Sequence, residues 1–283
     1  MKKYLVLSLF VSVFAVNQCF AINMNGIAPV NPLDANPSTY QEHVNLPSFE
    51  LKKGSLTRNA IKNQYTIAMD KFMQANVRSS YQDFRMLIDN VMPSDYIYMR
   101  LTHDMASIGF FSLSELAMSK IKDEEISSLL EDDIKNYYFP NCKLTHKDQM
   151  YLAEIYSNIM YNDQSREATS ELMKQSSLLN DSDYANYLVA FGSMKNGDIK
   201  QAVKSIDIAI DKNPKNINYK RLRAEILAQS NKPQEGLKAL EDLKTKDINT
   251  VVFDKELHSS QQYILYKSAK NDYWKKYHLA YYD

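Results

Sequence analysis

The clearest structural signal in this chain is DYANYLVAFGSMKNGDIKQAVKSIDIAIDKNP, residues 183–214. Glycine and proline end helices and allow a chain to turn. The stretch therefore predicts two short helices that are joined at Gly197-Asp198 and followed by Asn213-Pro214. Ala202 lies in the middle of the second helix, and we expect a residue this small where two helices approach closely.

The small residue at Ala202 recurs at a fixed period along the chain. The positions 34 residues before and after it hold Ala168 and Gly236. An apolar residue follows four positions after each of the three, namely Leu172, Ile206 and Leu240. Twelve positions before them stand Tyr156, Ala190 and Ala224. Because a single helical hairpin cannot bury its apolar face alone, a period of this size predicts a stack of hairpins.

Three units that begin near Gln149, Asp183 and Ile217 resemble the tetratricopeptide repeat family. The middle unit matches best, with small and apolar residues at that family's signature positions: Val189, Ala190, Gly197, Ala202, Ile206, Ala209 and Pro214. The resemblance covers residues 149–248. It implies an all-α, right-handed α-solenoid of helix-turn-helix repeats, in which the first helix of each repeat lines a concave groove.

The composition favours an all-α chain and argues against a nucleic-acid-binding protein. Only six glycines occur among 283 residues, and residues that favour helices are frequent. Acidic and basic residues are equal in number, 34 of each, whereas nucleic-acid-binding domains normally carry a basic excess. We therefore do not expect a nucleic acid as the partner.

Residues 1–21 have the pattern of a secretory signal peptide. Two lysines precede the apolar run YLVLSLFVSVFAV, and Ala21 precedes a polar stretch. This run is shorter than the roughly 20 residues that span a bilayer. A lipid-modified cysteine normally follows a small residue, but Gln18 precedes Cys19, so cleavage after Ala21 is favoured over lipidation or a retained anchor. This predicts export to the periplasm or exterior of a bacterial cell, with no membrane span after cleavage.

The rest of the chain divides into four segments. Residues 22–56 contain four of the eight prolines, which predicts an extended or disordered linker. Residues 57–139 carry apolar residues at spacings of three and four, which predicts degenerate helical hairpins. Residues 149–248 hold the repeats. Residues 249–283 carry an aromatic stripe, which predicts capping helices or, alternatively, an interface for a homo-oligomer.

Three local signals lie within or just after residues 57–139. Ser112 and Glu115 fit a capping box at the start of a helix. Residues 123–133, DEEISSLLEDD, are acidic on one face, which indicates a solvated helix surface; a metal site is the alternative. Pro140 has no backbone N–H and restricts the residue before it, so we expect a helix to end there.

The sequence has no pattern typical of catalysis or of a bound cofactor or metal. No two of the five histidines stand four residues apart, and both a Gly-rich phosphate loop and a G-x-S-x-G turn are missing. Cys142 and His146 are four residues apart, but catalytic pairs of this type normally converge from distant segments. We expect a non-enzymatic protein without a cofactor, a metal or an intrachain disulfide.

The resemblance, carried over residue by residue, assigns a partner-binding groove to the first helices of the repeats. The groove residues are Tyr161, Tyr184, Tyr187, Phe191, Met194, Lys195 and Arg221. Aromatic rings offer a large contact area at low entropic cost, and methionine adapts to irregular partners. The alternative is that the aromatic residues pack between repeats. Tyr187 and Phe191 stand where a peptide-carboxylate clamp of this family has Lys or Arg and Asn, so we do not expect that clamp.

These expectations favour an exported scaffold or adaptor that binds a protein or peptide segment in the groove. A second hypothesis is a structural spacer or oligomerisation module that uses the aromatic stripe in residues 249–283. A third is a regulatory or binding part of a larger enzyme. Sedimentation of the chain with and without residues 262–283 separates the second hypothesis from the first.

Overall fold

The described residues of this chain form α-helices and no strand. The computed structural model describes residues 58–91, 93–230, 232–246 and 254–268. The helices are α1 Arg58–Met73, α2 Val77–Asn90, α3 Asp95–Ser107, α4 Phe111–Met118, α5 Glu124–Tyr138, α6 His146–Tyr161, α7 Ser165–Lys174, α8 Ser176–Asp181, α9 Asp183–Lys195, α10 Ile199–Lys212, α11 Ile217–Gln229, α12 Pro233–Lys246 and α13 Asp254–Ser268. The expected all-α class is confirmed. The predicted signal peptide, the linker and the aromatic stripe beyond residue 268 lie outside the described residues.

Consecutive helices pack as hairpins. The pairs are α1 with α2, α3 with α4, α6 with α7, α9 with α10, and α11 with α12. The first helices of the last three pairs lie side by side, because α9 contacts both α6 and α11. α13 packs on α11 and α12, whereas α5 packs mainly on α3 and α11. Of the helices described, none is both long and apolar enough to cross a membrane.

The hairpin expected over residues 183–214 is confirmed. α9 ends at Lys195 and α10 begins at Ile199. Gly197, between them, has a φ angle of 80°, a left-handed conformation that glycine adopts without steric cost. Asp198 caps α10, because its carboxylate accepts a hydrogen bond from the backbone N–H of Gln201 at 3.1 Å.

Small residues lie where the two helices of a hairpin approach closely, as the period predicts. Ala168 and Ala202 are almost fully buried. A Cβ atom at Gly236 would lie only 2.5 Å from the carbonyl oxygen of Ala224, so a larger residue there would push α11 and α12 apart. Ala224 and Gly236, twelve positions apart in the sequence, therefore mark a direct contact between these helices.

The capping box expected at Ser112 and Glu115 is wrong. α4 begins at Phe111, two residues before the start that a cap at Ser112 would give, and no side chain caps it. Phe111 is 4% exposed, so burial of an aromatic ring rather than a hydroxyl cap fixes the start of this helix. A capping box occurs instead at α6: Asp148 N–H donates to Thr145 Oγ1 at 3.2 Å, and Thr145 N–H donates to Asp148 Oδ2 at 3.3 Å.

α5 is amphipathic, and it ends where proline was expected to end a helix. Asp123 caps its first turn by accepting hydrogen bonds from two backbone N–H groups, each at 3.1 Å. Its last residue, Tyr138, stands two positions before Pro140. Its buried side chains are Leu130, Ile134, Tyr137 and Tyr138, and its exposed acidic side chains include Glu124, Glu125 and Asp132. The predicted solvated acidic face is confirmed.

A buried carboxylate ties the segment after α5 to the middle hairpin. Asp183 is 1% exposed and is the first residue of α9. Its Oδ2 atom accepts hydrogen bonds from the N–H of Asn141 at 2.8 Å, from Asn213 Nδ2 at 3.0 Å and from the Tyr219 hydroxyl at 3.2 Å. One carboxylate oxygen thus joins residue 141, the end of α10 and the start of α11.

Further hydrogen bonds hold residues 139–141, which follow α5. The carbonyl oxygen of Phe139 accepts hydrogen bonds from Asn213 Nδ2 at 3.0 Å and from Asn216 Nδ2 at 3.1 Å. Asn141 Nδ2 in turn donates to the carbonyl oxygen of Lys212 at 3.0 Å. Residues 139–141 are therefore fixed to the junction of α10 and α11, which places α5 against α11.

Candidate functional site

Five aromatic side chains form a continuous cluster of stacked rings along α6, α9 and α11. They are Tyr156 on α6, Tyr184, Tyr187 and Phe191 on α9, and Tyr219 on α11, and we call them the aromatic face. Ring centroids are 6.2 Å apart for Tyr156 and Phe191, and 6.4 Å apart for Tyr187 and Phe191. Tyr187 lies 5.7 Å from Tyr184 and 5.1 Å from Tyr219. All four pairs are stacked, which adds to the stabilisation from burial.

The N-terminal helices cover most of the aromatic face. Phe111 of α4 lies edge-on to Tyr184, with 5.0 Å between ring centroids. Phe72 of α1 lies 6.2 Å from Tyr156. The three α9 members of the face are 4%, 5% and 6% exposed. This coverage by the chain itself follows from contacts that no local sequence pattern indicates.

Four of the predicted groove residues therefore lie in the interior. They are Tyr184, Tyr187, Phe191 and Met194, of which the last is 3% exposed. The aromatic residues among them pack between helices, which is the alternative that the sequence left open. Their part in binding a partner remains a prediction.

Tyr161 and Lys195 lie at an end of the aromatic face that is half-exposed. The Tyr161 ring contacts Phe72 edge-on, with centroids 6.2 Å apart. Lys195 Nζ donates to the carbonyl oxygen of Ile159 at 2.7 Å and lies 5.8 Å from the centre of the Phe191 ring. Burial lowers the pKa of Lys195. A cation at the carboxyl end of α6 interacts favourably with the helix dipole, so Lys195 joins α9 to α6.

Arg221, the remaining groove residue, is half-exposed on α11 and held by a set of polar side chains. Its Nη1 donates to Glu225 Oε1 at 2.7 Å and to Ser260 Oγ at 2.9 Å, and its Nη2 donates to Asn218 Oδ1 at 2.7 Å. Ser260 also donates to Glu225. Burial alone would lower the pKa of Arg221, but the charge of Glu225 raises it above its ordinary value. The guanidinium is thus fixed and its charge is balanced within α11 and α13.

α5 lies beside Arg221 and connects this cluster to α3. Tyr137 and Tyr138 are near enough to Arg221 to influence its pKa. The Tyr138 hydroxyl is hydrogen-bonded to His103 Nε2 at 3.0 Å, and the two rings are edge-on at 5.4 Å. The last turn of α5 therefore fills the space between α3 and α11.

Sequence reasoning missed a buried carboxylate on α3. Asp104 is 4% exposed; it accepts hydrogen bonds from the Tyr65 hydroxyl and from Arg100 Nε, both at 2.9 Å, and its Oδ1 lies 3.3 Å from His103 Nδ1. Burial alone would raise the pKa of Asp104, but the His103 hydrogen bond and the charge of Arg100 hold it below its ordinary value. The only local signal is the four-residue spacing of Arg100 and Asp104, which is common on helix surfaces.

Cys142 and His146 lie in different surroundings. Burial raises the pKa of the Cys142 thiol; a hydrogen bond with Ser182 opposes this rise, and the charge of Asp183 adds to it. The His146 ring packs edge-on against Tyr81, with centroids 5.0 Å apart. A thiol with a raised pKa is a weak nucleophile near neutral pH.

A hollow of about 420 Å³ opens beside α8, α9 and α10. Two of the polar side chains that line it already bind backbone carbonyl groups. Asn186 Nδ2 donates to the carbonyl oxygen of Ser182 at 2.8 Å, and Lys212 Nζ donates to that of Asn180. These side chains hold the junction between α8 and α9 and the end of α10 in place.

The chemistry of the aromatic face suits contact rather than proton transfer. Burial raises the pKa values of Tyr156, Tyr184 and Tyr219 well above their ordinary value, so these phenols stay protonated near neutral pH. Within the described ranges, no group of three or more His, Cys, Asp or Glu side chains is placed to hold a metal ion. Comparison with protein-family models, with curated proteins and with solved structures gave no match.

Proposed function

We propose that this chain is an exported, non-enzymatic scaffold or adaptor of the cell envelope. In this proposal the hairpins are TPR-like repeats of a right-handed α-solenoid, and α6, α9 and α11 bind a protein or peptide segment. The repeat assignment is supported by the 34-residue period and by the hairpins at the expected positions. Export is supported by the signal-peptide pattern of residues 1–21.

The observation that carries this proposal is the half-exposed end of the aromatic face. Tyr156, Tyr161 and Lys195 remain partly open to solvent there, and Met160 lies beside them on α6. These rings are held in place by Phe72 and Phe191, so a partner that stacks on them pays little side-chain entropy. Methionine adds an adaptable apolar contact.

Site-specific photocrosslinking in the native host tests this proposal. A photoreactive amino acid replaces Met160 in one version of the full chain and Lys200 in another. Lys200 is a control because it is exposed on α10, the second helix of its hairpin. We expect one dominant protein adduct from position 160 and none of that mass from position 200.

Two outcomes contradict the proposal. Equal adducts from both positions would mean that the first helices are not a preferred contact surface. An adduct of the chain with itself alone would favour the oligomerisation module over the adaptor. As a control, both versions of the chain should unfold cooperatively on heating, which shows that folded proteins are being compared.

A further inference from the structure

The docking of α5 shows what kind of segment the surface of α3 and α11 accepts. The buried side chains of α5 recur at spacings of four, three and one: Leu130, Ile134, Tyr137 and Tyr138. This is the pattern by which an amphipathic helix lies in an apolar groove, with anchors near i, i+4 and i+7. Its acidic side remains in solvent, so the contact depends on the apolar anchors and not on the outer charges.

The charge on the receiving surface is balanced without α5. Arg221, beside Tyr137 and Tyr138, has Glu225 as its counter-ion, and Asn218 and Ser260 accept further hydrogen bonds from it. An arginine that depended on α5 for its counter-ion would resist release of α5, because leaving a partly buried charge unpaired is costly. Arg221 is instead held by α11 and α13.

The two ends of α5 are held with unequal strength. After the helix, residues 139–141 are fixed by the part-buried hydrogen bonds to Asp183, Asn213 and Asn216. Before the helix, the backbone N–H groups of Lys122 and Asp123 bind the solvent-accessible carboxylate of Asp95 at 3.0 and 3.2 Å. Hydrogen bonds in contact with water stabilise less than buried ones, so the attachment at the N-terminal end of α5 is the weaker of the two.

We propose that α5 is an internal ligand and that the surface it occupies on α3 and α11 binds an amphipathic helix from a partner protein. That helix carries aliphatic residues at i and i+4 and an aromatic pair at i+7 and i+8, and it binds after α5 is released. The proposal rests on the proposed function, because it names the class of segment that the adaptor takes. The tethered α5 competes at high effective concentration, so the resting chain binds such helices weakly.

Binding of a synthetic peptide to the full chain tests this inference. The peptide has the sequence of residues 123–139 with blocked ends and a fluorescent label, and the control peptide carries Ile134→Ser. The chain is compared with two released variants, Ile134→Ser and Asp95→Ala, and with Asp132→Asn, a matched change on the exposed side of α5. We expect the peptide to bind both released variants about tenfold or more tighter than the unmodified and Asp132→Asn chains, and the control peptide to bind none of them.

Hydrogen exchange of the same samples makes every outcome decisive. If α5 amides exchange faster in the released variants while those of α9 stay protected, the receiving surface is intact and peptide binding must follow. Failure of the peptide to bind either variant would overturn the proposal. So would joint loss of protection in α5 and α9, because α5 would then be part of the core. If the peptide does not bind but the crosslinked adduct from position 160 is still found, the adaptor proposal stands and only this inference is removed.

Discussion

At the scale of single residues, Asp183 joins distant parts of the chain. Its position is ordinary in sequence, since acidic residues often begin helices and interact favourably with the helix dipole. Its buried carboxylate nevertheless receives hydrogen bonds from three segments: residue 141, the end of α10 and the start of α11. Hydrogen bonds to a charged acceptor are stronger than those between neutral groups.

The change Asp183→Asn should lower the free energy of unfolding by about 2–3 kcal/mol, because a charged acceptor becomes neutral and one of its oxygens becomes a donor. Urea unfolding followed by circular dichroism measures this loss. Asp181→Asn is the matched control, since Asp181 is exposed at the end of α8, and it should change stability by less than about 0.5 kcal/mol. Equal effects of the two changes would contradict the assigned role of Asp183.

Gly192 provides a second test at this scale, because a Cβ atom there would lie 2.0 Å from Thr169 Oγ1. Gly192→Ala should destabilise the chain by about 1–3 kcal/mol through overpacking of α7 against α9. In a Thr169→Ala background the clashing oxygen is gone, so the same change should cost at least about 1 kcal/mol less. An unchanged cost in the two backgrounds, measured by thermal unfolding, would show that the two helices do not approach this closely.

At the scale of helices, the capping residues differ in the number of segments that they hold. Asp198 caps α10 at an exposed site. Asn216 caps α11 by accepting the N–H of Tyr219 at 3.1 Å, is fully buried, and also donates to the carbonyl oxygen of Phe139 at 3.1 Å. The second cap therefore holds both a helix and the segment that follows α5.

We expect Asp198→Ala to cost about 1 kcal/mol of stability and Asn216→Ala about 2 kcal/mol, since only the latter also removes one of the two side-chain hydrogen bonds to the carbonyl oxygen of Phe139. Only Asn216→Ala should speed hydrogen exchange at the C-terminal end of α5. Acceleration there in both variants, or in neither, would contradict the link between this cap and α5.

The helices that could be predicted from the sequence are those whose ends depend on local chemistry. Gly197 and the apolar spacing of residues 183–214 act within a few positions, so the middle hairpin was predicted to within two residues. The start of α4 was missed because the burial of Phe111 outweighs the hydroxyl cap at Ser112. α8 was missed because its six residues are too few to show a period.

The candidate site was predictable only in part for a related reason. The spacing of Tyr184, Tyr187 and Phe191 places them on one side of α9, and that much is local. Their cover is not local: Phe111 lies 73 positions before Tyr184, and Tyr138 lies 83 positions before Arg221. Contacts over such separations leave no periodic trace, so the sequence left open whether the aromatic face is a surface or an interior.

At the scale of the whole molecule, the buried tyrosines make stability depend on alkaline pH. Burial raises the pKa values of Tyr156, Tyr184 and Tyr219 above the ordinary value of 10.0. A group whose pKa is higher in the folded chain contributes its full stability below the unfolded pKa and loses it as pH rises further. Stability from these groups is therefore constant up to about pH 9 and declines from about pH 10 upward.

Each such tyrosine lowers the free energy of unfolding by up to about 1.4 kcal/mol per pH unit above pH 10. Urea midpoints at several pH values between 8 and 11 measure the combined slope. Tyr184→Phe removes one of these phenols, so its slope above pH 10 should be smaller than that of the unmodified chain by about this amount. Parallel curves would mean that Tyr184 is not buried in the folded molecule.

The central claim is that a partner binds along the first helices of the repeats, and hydrogen exchange of the full chain with and without its crosslinked partner protein tests it most directly. The account predicts added protection in α6, α9 and α11 and unchanged exchange in α7, α10 and α12. Protection confined to the second helices, or no change in any of the six, would contradict it.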